Sequence, residues 1–599
     1  MREIPAAFRQ ALPGLAALVL FTVAVASVAA AGPANAGPAA AGPAAAGNDA
    51  PEPSASRLEF ATLQGAAQAP DANGRAGFVP PSLPAAHLAP VATAKAADLP
   101  ARWDWREHGA ATPVRDQGGC GACYAFGAAG ELEAQLLLQG AGSVDLSENS
   151  IKECNYQQSS CGGGHQYLVY NFLTRAGVTD EACDPYQDTD VTCATGCPYL
   201  YTPLNWYAVS GSVLPDVAAL KEIVHAHGPV QTTVYTGGDG ALPSWRRAFS
   251  DYDGVGCLYL ADEVVPDHSV LIVGYDDDVA HAGGTGAWIV KNSWGTAWGG
   301  TCGHGSERGY FLIAYGSAGI GKWSSRSAEV IVHDPHHRVL GHDEAGLTQH
   351  LGTGSSTTIW GMARIVPTEA AYLQRVEFWT TDACSGAEVH VYGAFAGGKT
   401  SELLSRRTGL VLPHAGYHSV ALPDALPLAA GEPVYVVVKF ANLTYTLPLP
   451  VDHVGPRTPG TSFVGLDGSN WSDLASYSVD VGIRARVSQD PALGVDDETG
   501  EDESSLPRSL RLAPAVPNPF NPRTTIRFEL PLGGPTVVGV YDLTGRCVHT
   551  LVNEHRAAGL HQTSWNGRDA AGRPLPAGVY VARLETVAGV RSTKLILVK

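Results

Sequence analysis

The stretch Gln117-Gly118-Gly119-Cys120-Gly121-Ala122-Cys123-Tyr124-Ala125-Phe126 joins a glycine-rich loop to the start of an apolar segment. Apolar residues then recur at helical spacing as far as Leu137, and Gly140 ends the run. Cys123 therefore lies at the N-terminus of a predicted helix. There the helix dipole and the free backbone N–H groups favour a thiolate over a thiol. This is the environment that a nucleophilic cysteine needs.

The Cys-x-x-Cys spacing of Cys120 and Cys123 allows three other interpretations. It fits half of a zinc site, although zinc needs a second matched pair, and Cys193-Ala194-Thr195-Gly196-Cys197 is a poor one. It also fits a redox pair, although the surrounding sequence lacks the alternating strand–helix pattern of thioredoxin-like folds. Finally, both sulfurs could belong to structural disulfides. The cysteine motif alone leaves these alternatives open.

Two downstream segments narrow the choice. Residues 265–275 place His268 at the start of an apolar, β-rich run, and residues 288–295 place Asn292 just after another predicted strand. A lone histidine is usually structural, and a lone asparagine is usually a turn residue. A cysteine at a helix start, followed by a histidine and then by an asparagine flanked by tryptophan, is a much rarer combination. It favours nucleophilic catalysis.

These blocks resemble the papain/cathepsin family of cysteine proteases. The segment from Gln117 to Cys123 is similar to that family's nucleophile motif, and Asp267-His268 is similar to its base motif. Asn292-Ser293-Trp294-Gly295 resembles the orienting motif. Leu99-Pro100-Ala101-Arg102-Trp103-Asp104-Trp105-Arg106 is similar to the start of the mature enzymes. Cys161-Gly162-Gly163-Gly164 resembles the glycine segment that lines the substrate cleft.

The resemblance covers about residues 99–330 and implies an α+β fold with a helical half and a β-barrel-like half. It makes Cys123 the nucleophile and His268 the general base that later acts as the acid. Asn292 would hold the imidazole in the productive tautomer. The side-chain amide of Gln117 and the backbone N–H of Cys123 would form the oxyanion hole. A Cys–His ion pair of this kind needs no metal or cofactor.

The resemblance also implies a substrate site and the partners that occupy it. Gly163 and Gly164 lack side chains, so a substrate backbone can lie against them as an extended strand. Asp267 and Trp294 complete the implied substrate-binding set. Trp294 and Trp298 are expected to shield the Asn–His hydrogen bond from water. Proteins or peptides are the implied substrates.

The sequence departs from the family's pattern in three places near the site, one of which is the inserted-looking segment Thr301-Cys302-Gly303-His304-Gly305. Tyr124 replaces the family's usual tryptophan after the nucleophile, which is a mild change because both are aromatic. Asp276-Asp277-Asp278 and Gly283-Gly284, between the histidine and the asparagine, look like an inserted hairpin loop. Such a loop borders the cleft and leaves its specificity open.

Nine of the 11 cysteines lie between Cys120 and Cys302. With Cys123 free as a nucleophile, eight remain there, which is an even number. The pairings that the resemblance implies are Cys120–Cys161 and Cys154–Cys193. Disulfide connectivity cannot be read from sequence, so the further pairings Cys183–Cys197 and Cys257–Cys302 are guesses. Cys384 and Cys547 lie in separate predicted β-domains and are expected to be free.

The N-terminus indicates export. Arg2 and Arg9 precede an apolar stretch that is followed by Ala29-Ala30-Ala31, a pattern typical of a secretory signal peptide over residues 1–31. A membrane anchor is the alternative. No later stretch reaches the roughly 18 apolar residues that a membrane span needs, so no transmembrane segment is expected in the mature chain. Export predicts a secreted or cell-surface bacterial protein and permits disulfides.

Length, composition and charge exclude several classes of protein. With 599 residues, the chain would overfill a single domain. Its hydrophobic content of 45% excludes wholesale disorder. The 39 basic and 58 acidic residues give a net charge of −19, which argues against nucleic acid as a partner because phosphate binding needs a cationic face.

Changes in composition along the chain predict a protein of several domains. Residues 32–98 contain no recognisable form of the long helical inhibitory pro-region of many family members, and we expect them to lie across the cleft until the chain is cut near Leu99. Strand patterns in the last two domains predict two all-β sandwiches. The predicted division is 1–31 signal peptide, 32–98 low-complexity pro-region, 99–332 protease domain, 333–488 β-sandwich, 489–508 acidic linker and 509–599 second, smaller β-sandwich.

Both predicted sandwiches have their own resemblances. Residues 333–488 resemble the lectin-like domain that follows papain-like proteases in some bacterial secreted proteins, which implies a glycan or cell-surface ligand. Residues 509–599 resemble bacterial C-terminal sorting and flagellar-hook-capping-like immunoglobulin domains, through segments such as 517–522 and 540–546. That resemblance implies contact with secretion machinery. A passive spacer is the alternative.

The leading hypothesis is a secreted cysteine endopeptidase made as a precursor, which hydrolyses peptide bonds through an acyl-enzyme on Cys123. One alternative is a non-catalytic adhesin that keeps a protease fold; the intact catalytic positions argue against it. The other is a transglutaminase-like acyltransferase, which uses Cys-His-Asp. Asn292 and Gln117 disfavour that alternative.

Overall fold

The computed structural model describes residues 58–61, 75–90 and 99–490, together with residues 511–598 apart from positions 514, 516, 522, 531–533, 543–544, 557–558, 571 and 587–588. The predicted signal peptide, most of the predicted pro-region and the acidic linker after residue 490 lie outside the described residues. Within the described part, no helix has the length and apolar character that a membrane crossing requires.

The helical half of the predicted protease domain is small and surrounds one buried helix. That helix is enclosed on all sides, because every residue from Cys123 to Leu136 is buried, including Glu131, Glu133 and Gln135. It ends just before Gly140, whose φ of +80° favours glycine, as the sequence predicts. Two short strands precede this half in the chain, β1 (Glu59–Phe60) and β2 (Arg102–Asp104). Its helices are α1 (Cys123–Leu138), α2 (Glu148–Glu153) and α3 (Gln166–Arg175).

The second half is an antiparallel sheet with two helices. Its strands lie in the order β7-β6-β5-β4-β8-β3, and the turn at Ala282-Gly283 closes the β5–β6 hairpin that the sequence predicts as an insertion. Its elements are β3 (Tyr201–Ala208), α4 (Val217–His227), β4 (Val230–Val234), α5 (Pro243–Ser250), β5 (His268–His281), β6 (Gly284–Lys291), β7 (Tyr310–Ala314) and β8 (Ser325–Val332).

The lectin-like segment is an all-β sandwich, as predicted. One of its sheets has six strands in the order β14-β13-β16-β11-β18-β19. The strands are β9 (Arg338–Gly341), β10 (Gln349–Gly352), β11 (Thr358–Ile365), β12 (Ala371–Thr380), β13 (Cys384–Ala396), β14 (Lys399–Leu412), β15 (Ala415–Leu428), β16 (Val434–Ala441), β17 (Leu449–Asp452), β18 (Ser462–Gly465), β19 (Ser472–Asp473), β20 (Asp480–Val481) and β21 (Ile483–Ser488).

The second sheet of this sandwich continues the sheet of the protease domain. β15 pairs antiparallel with β3, which places Gly416 opposite Tyr207. A Cβ on Gly416 would lie 2.1 Å from the carbonyl oxygen of Trp206, so only glycine fits this crossing. The joined sheet has 11 strands. The sequence predicts the two domains but not their fusion into one sheet.

Buried ion pairs stabilise the same junction. Arg484 on β21 bonds Asp343 at 2.8 Å and also donates to Asn171 on α3 of the protease domain. Arg486 pairs with Glu377 at 2.6 Å. Because an unpaired charge at such a site would be costly, these contacts hold the two domains in one arrangement.

The C-terminal segment is the second, smaller β-sandwich that the sequence predicts. Trp565 and Ile526 are fully buried in its core. Its sheets have the orders β22-β23-β26 and β25-β24-β27-β28. The strands are β22 (Arg511–Leu512), β23 (Thr524–Leu530), β24 (Gly534–Tyr541), β25 (Cys547–Arg556), β26 (Gly559–Trp565), β27 (Gly578–Thr586) and β28 (Gly589–Leu597).

Candidate active site

The candidate nucleophile is the first residue of a helix, and it touches the strand that carries the candidate base. Cys123 begins α1 and is completely buried. Its Sγ accepts a hydrogen bond from the backbone N–H of Ser269 at 3.3 Å. Ser269 follows His268 at the start of β5, so the thiol and the histidine come from neighbouring positions of two packed elements.

His268 is oriented by Asn292. Nε2 of His268 lies 2.8 Å from Oδ1 of Asn292. This amide oxygen also accepts a hydrogen bond from the backbone N–H of Ser293 at 2.8 Å, which fixes the side chain. An oxygen acceptor at this distance favours the tautomer protonated on Nε2, and it leaves Nδ1 as the basic nitrogen of a neutral ring.

Two tryptophans cover this pair. The ring of Trp294 lies 5.1 Å from that of His268, between centroids, and the ring of Trp298 lies 5.2 Å from that of Trp294. His268 and Asn292 are only 0% and 3% exposed. Since water competes for hydrogen bonds, this cover strengthens the contact between imidazole and amide.

The Gln117 amide is held on both sides. Its Oε1 accepts a hydrogen bond from the Ser293 hydroxyl at 2.6 Å. Its Nε2 therefore faces the other way and donates to the carbonyl of Cys120 at 2.8 Å and to that of Arg75 at 3.0 Å. The amide can thus present N–H groups to a carbonyl oxygen in the cleft.

The segment 75–79 of the predicted pro-region occupies the cleft. Gly77 places its backbone N–H against the sulfur of Cys123. Its carbonyl accepts from the N–H of Gly164 at 2.9 Å, and the N–H of Val79 donates to the carbonyl of Gly164 at 3.0 Å. Phe78 and Gly164 form a parallel bridge. The segment therefore presents a backbone N–H group to the thiol.

The segment 75–79 packs against Gly163 and Gly164, the predicted wall of the substrate cleft. A Cβ on Gly163 would lie 2.7 Å from the carbonyl oxygen of Gly77, so the bare backbone is what admits the strand. Asp267 contacts the segment through its backbone carbonyl, which accepts from the N–H of Phe78 at 2.9 Å. Its carboxylate faces away and accepts from the backbone N–H groups of Thr236 at 2.7 Å and Gly238 at 2.8 Å.

Burial is the main cause of the pKa shifts of Cys123 and Asp267. It raises the pKa of the Cys123 thiol to about 12, although the N–H groups of Ser269 and Gly77 lower it in part. With the pro-segment in place the sulfur is therefore a neutral thiol, in contrast to the thiolate that its helix position predicts. Burial likewise raises the pKa of Asp267 to about 6.

Disulfides brace the helical half. Cys120–Cys161 joins the nucleophile loop to the glycine wall, and the structure also contains Cys154–Cys193 and Cys183–Cys197. The guessed pairing of Cys257 with Cys302 is wrong, because both thiols are free. The Cys257 sulfur lies against the carbonyl of Leu258 at 3.6 Å, and the Cys302 carbonyl accepts from Arg106 at 3.5 Å. Cys384 and Cys547 are free, as expected.

Sequence reasoning missed three contributors to the site. Ser293 stands inside the quoted Asn-Ser-Trp-Gly motif, so its position was an available signal. Tyr186, whose hydroxyl donates to the carbonyl of Gln117 at 2.8 Å, lies in a loop with no pattern. Gly77 stands in a glycine- and proline-rich region, where a functional glycine cannot be told from the others.

Comparison with known proteins agrees with this geometry. Residues 99–328 match the papain family cysteine protease domain. These residues form a papain-family cysteine protease domain. Residues 339–486 match the lectin-like domain family, and residues 523–589 match the FlgD Ig-like domain family. The chain thus carries a papain-family domain, a lectin-like domain and an Ig-like domain in that order.

The curated relatives match the papain-family domain alone. Cathepsin L of Sarcophaga peregrina is 33% identical over 228 residues, which cover 36% of this chain and 59% of the relative. Cathepsin K of Gallus gallus is 34% identical over 221 residues, with the same two coverages of 36% and 59%. The match therefore spans about three-fifths of the length of these relatives.

A solved structure shares the two-domain arrangement. The cysteine protease and lectin-like domains of Cwp84, a surface layer associated protein of Clostridium difficile, give a TM-score of 0.57 at 17% identity, covering 72% of this chain and 98% of that one. A second structure, of a Cwp84 variant after propeptide cleavage, gives 0.52 at 19% identity, covering 65% and 99%. At this identity the likeness concerns the fold.

Proposed function

We propose that the protein is a secreted cysteine endopeptidase that hydrolyses peptide bonds through Cys123. One observation supports this most strongly: Gln117, Cys123 and the hydrogen-bonded pair His268–Asn292 meet at one cleft between the helical half and the sheet. A nucleophile, a base with an orienting group and an oxyanion donor are the parts that acyl transfer needs.

The mechanism follows from these roles. Once the cleft is open to solvent, the thiol proton passes to His268, and the sulfur attacks the substrate carbonyl carbon. The developing oxyanion accepts hydrogen bonds from Gln117 Nε2 and the Cys123 backbone N–H. The imidazolium then protonates the leaving amine as the C–N bond breaks. Water, deprotonated by the imidazole, hydrolyses the thioester and frees the thiol.

The chain is proposed to be made as a zymogen. The segment 75–79 fills the cleft, uses the Gly164 backbone as a substrate would and keeps the Cys123 thiol buried. Its Gly77 N–H faces the sulfur and its Arg75 carbonyl takes up the Gln117 Nε2 donor, so the segment would block the cleft. Removal of residues 32–98, by a cut near Leu99, would expose both the thiol and the oxyanion donors.

The accessory domains are proposed to fix where the enzyme works. A lectin-like domain at 333–488 would bind a glycan or another cell-surface ligand, and Cwp84, which shares the arrangement, is a surface layer associated protein. The Ig-like domain at 509–599 would engage secretion machinery. With the signal peptide at 1–31 and the acidic linker at 489–508, this division describes a secreted or surface-bound enzyme.

Peptide hydrolysis by matched variants tests the proposal. The full chain, with its pro-segment removed, should cleave internally quenched peptides, whereas Cys123→Ala should show no turnover. Asn292→Ala should keep the thiol but lower kcat. Cys384→Ala removes a buried thiol outside the cleft and should leave kcat unchanged. Wild-type chain that cleaves no peptide would favour a non-catalytic adhesin, and amine-dependent acyl transfer without hydrolysis would favour a transglutaminase-like enzyme.

A further inference from the structure

A cavity adjoins the oxyanion donor on the side of the cleft away from the glycine wall. It has a volume of about 360 Å³, and its lining includes Arg75, Gly119, Gly238, Arg246 and Trp294. The pro-segment crosses the nucleophile at Gly77 and reaches this cavity two residues earlier, at Arg75. A strand bound across Cys123 would therefore place a side chain here one or two residues from the nucleophile.

The cavity lies on the leaving-group side of the reacting bond. Trp294, one of its walls, packs against the ring of His268 at 5.1 Å. The imidazolium must reach the nitrogen that departs, so the amine half of the substrate lies on the histidine side of the sulfur. The acyl half then lies along Gly163 and Gly164, on the opposite side.

Arg246 gives this cavity a lasting positive charge. It lies on α5 and is half-buried. Among the described residues, no aspartate or glutamate oxygen lies within ion-pairing distance of its guanidinium. Arg75 also lines the cavity, but it leaves with the pro-segment. In the processed enzyme Arg246 faces an open cavity without a carboxylate partner, although the chain as a whole is acidic at −19.

We propose that Arg246 makes the enzyme select substrates that carry a carboxylate one or two residues beyond the cleaved bond on the leaving-group side. This inference rests on the proposed peptidase function and names its substrate class. The carboxylate belongs either to an aspartate or glutamate side chain or to the free C-terminus of a short leaving peptide. A guanidinium is well suited to both, because it can donate two parallel hydrogen bonds to a carboxylate.

Matched quenched peptides test the inference on the full chain after pro-segment removal. One set carries glutamate, glutamine or lysine at each of the first two leaving-side positions, with an amidated C-terminus. A second set carries glutamine there and a short leaving peptide with a free or an amidated C-terminus. For the preferred source, kcat/KM should be roughly fivefold higher for the carboxylate than for its neutral partner.

The variants separate Arg246 from general charge effects. Arg246→Gln should bring the carboxylate-to-neutral ratio to about one, and Arg246→Glu should favour lysine. Arg247→Gln removes the exposed neighbouring arginine and should keep the wild-type ratio. Equal cleavage of all peptides by the wild type, or a preference that survives Arg246→Gln, would overturn this inference alone. Wild-type chain as inactive as Cys123→Ala would overturn the peptidase function and this inference with it.

Discussion

At the scale of single residues, Ser293 decides which way the Gln117 amide faces. Its hydroxyl bonds the amide oxygen at 2.6 Å, and this contact aims the N–H₂ group into the cleft. Ser293→Ala should therefore lower kcat about tenfold with little change in KM, because the donor serves the transition state more than the bound substrate. Ser293→Thr keeps the hydroxyl and should recover most of the loss. Steady-state kinetics on processed chain give the answer, and an unchanged kcat in Ser293→Ala would refute this role.

Gly77 is the residue through which the pro-segment fits the cleft. A Cβ at this position would lie 1.9 Å from the carbonyl oxygen of Gly121, which is backbone and cannot move aside cheaply. Gly77→Val should thus make the uncut precursor react with a thiol-directed epoxide at a rate near that of the processed enzyme. Ala86→Val places a valine at an exposed position of the predicted pro-region and should leave the precursor unreactive. A closed site in Gly77→Val would contradict this account.

The residues of the site differ in how far the sequence could predict them. Cys123, His268 and Asn292 follow one another in contexts that carry local signals: a helix start, a strand start and a strand end. Gly77 has no such signal, since its role depends on a close approach of its backbone to that of Gly121, which is distant in sequence. The raised pKa of the Cys123 thiol also escapes sequence reasoning, because burial in the folded chain outweighs the helix position.

At the scale of elements, the lectin-like domain holds the pro-segment in place. β1 pairs with β10, and the ring of His87 stacks on that of Tyr445 at 3.9 Å between centroids. Nε2 of His87 also lies 2.7 Å from the carbonyl oxygen of Thr381. The proposed pro-segment therefore contacts both the protease domain and the lectin-like domain.

We expect the His87 contact to make the latency of the proposed zymogen depend on pH. Burial lowers the pKa of His87 below its ordinary value of 6.5, despite opposing contributions from the Thr381 carbonyl and the charge of Asp382. His350, the other histidine nearby, has a pKa lowered to about 3 by burial. The stabilisation from neutral His87 is present above pH 6.5 and is lost as the pH falls towards its lowered pKa, because the released segment binds the proton more tightly.

Acidification should therefore loosen the precursor. His87→Phe keeps a stacked ring but cannot titrate. The ratio of thiol-labelling rates, wild type over His87→Phe, should rise between pH 7.5 and pH 5, by up to about tenfold for each unit of pKa lowering. Taking the ratio cancels the intrinsic pH dependence of the labelling reaction. A ratio that stays constant over this range would rule out His87 as the titrating group.

Local elements were predictable, whereas their long-range pairings were not. The helix from Cys123 and the hairpin before Gly284 follow from apolar periodicity and turn residues near them in sequence. The pairing of β15 with β3 joins residues about two hundred positions apart, such as Gly416 and Tyr207. No local pattern specifies such a partner, since a strand with two apolar faces fits any buried sheet.

At the scale of the whole molecule, the protease and lectin-like domains should unfold together. Arg484→Met would leave the buried carboxylate of Asp343 without its main partner, which typically costs about 3–5 kcal/mol. Arg338→Met breaks an exposed pair with Glu369 and should cost about 0–1 kcal/mol. Urea unfolding followed by tryptophan fluorescence measures both changes. Equal, small effects would show that the junction contributes little to stability.

Changes in composition and residue pattern along the sequence mark the domain boundaries, but they cannot reveal that two of the domains share a β-sheet. The change from a tryptophan- and cysteine-rich segment to short alternating strands marks the boundary near residue 332. Arg484 and Glu377 look in sequence like ordinary charged residues of exposed strand faces. Only the folded chain shows that they are buried against α3 and β15.

We expect one sulfur, latent in the precursor and reactive after processing, to carry the activity. Mass spectrometry of the full chain treated with an epoxide thiol inhibitor, before and after pro-segment removal, tests it most directly. We expect no adduct on the precursor and a single adduct on Cys123 after processing, with Cys257, Cys302, Cys384 and Cys547 as free thiols in the same chain for comparison. A processed chain labelled at another cysteine, or not at all, would contradict the claim.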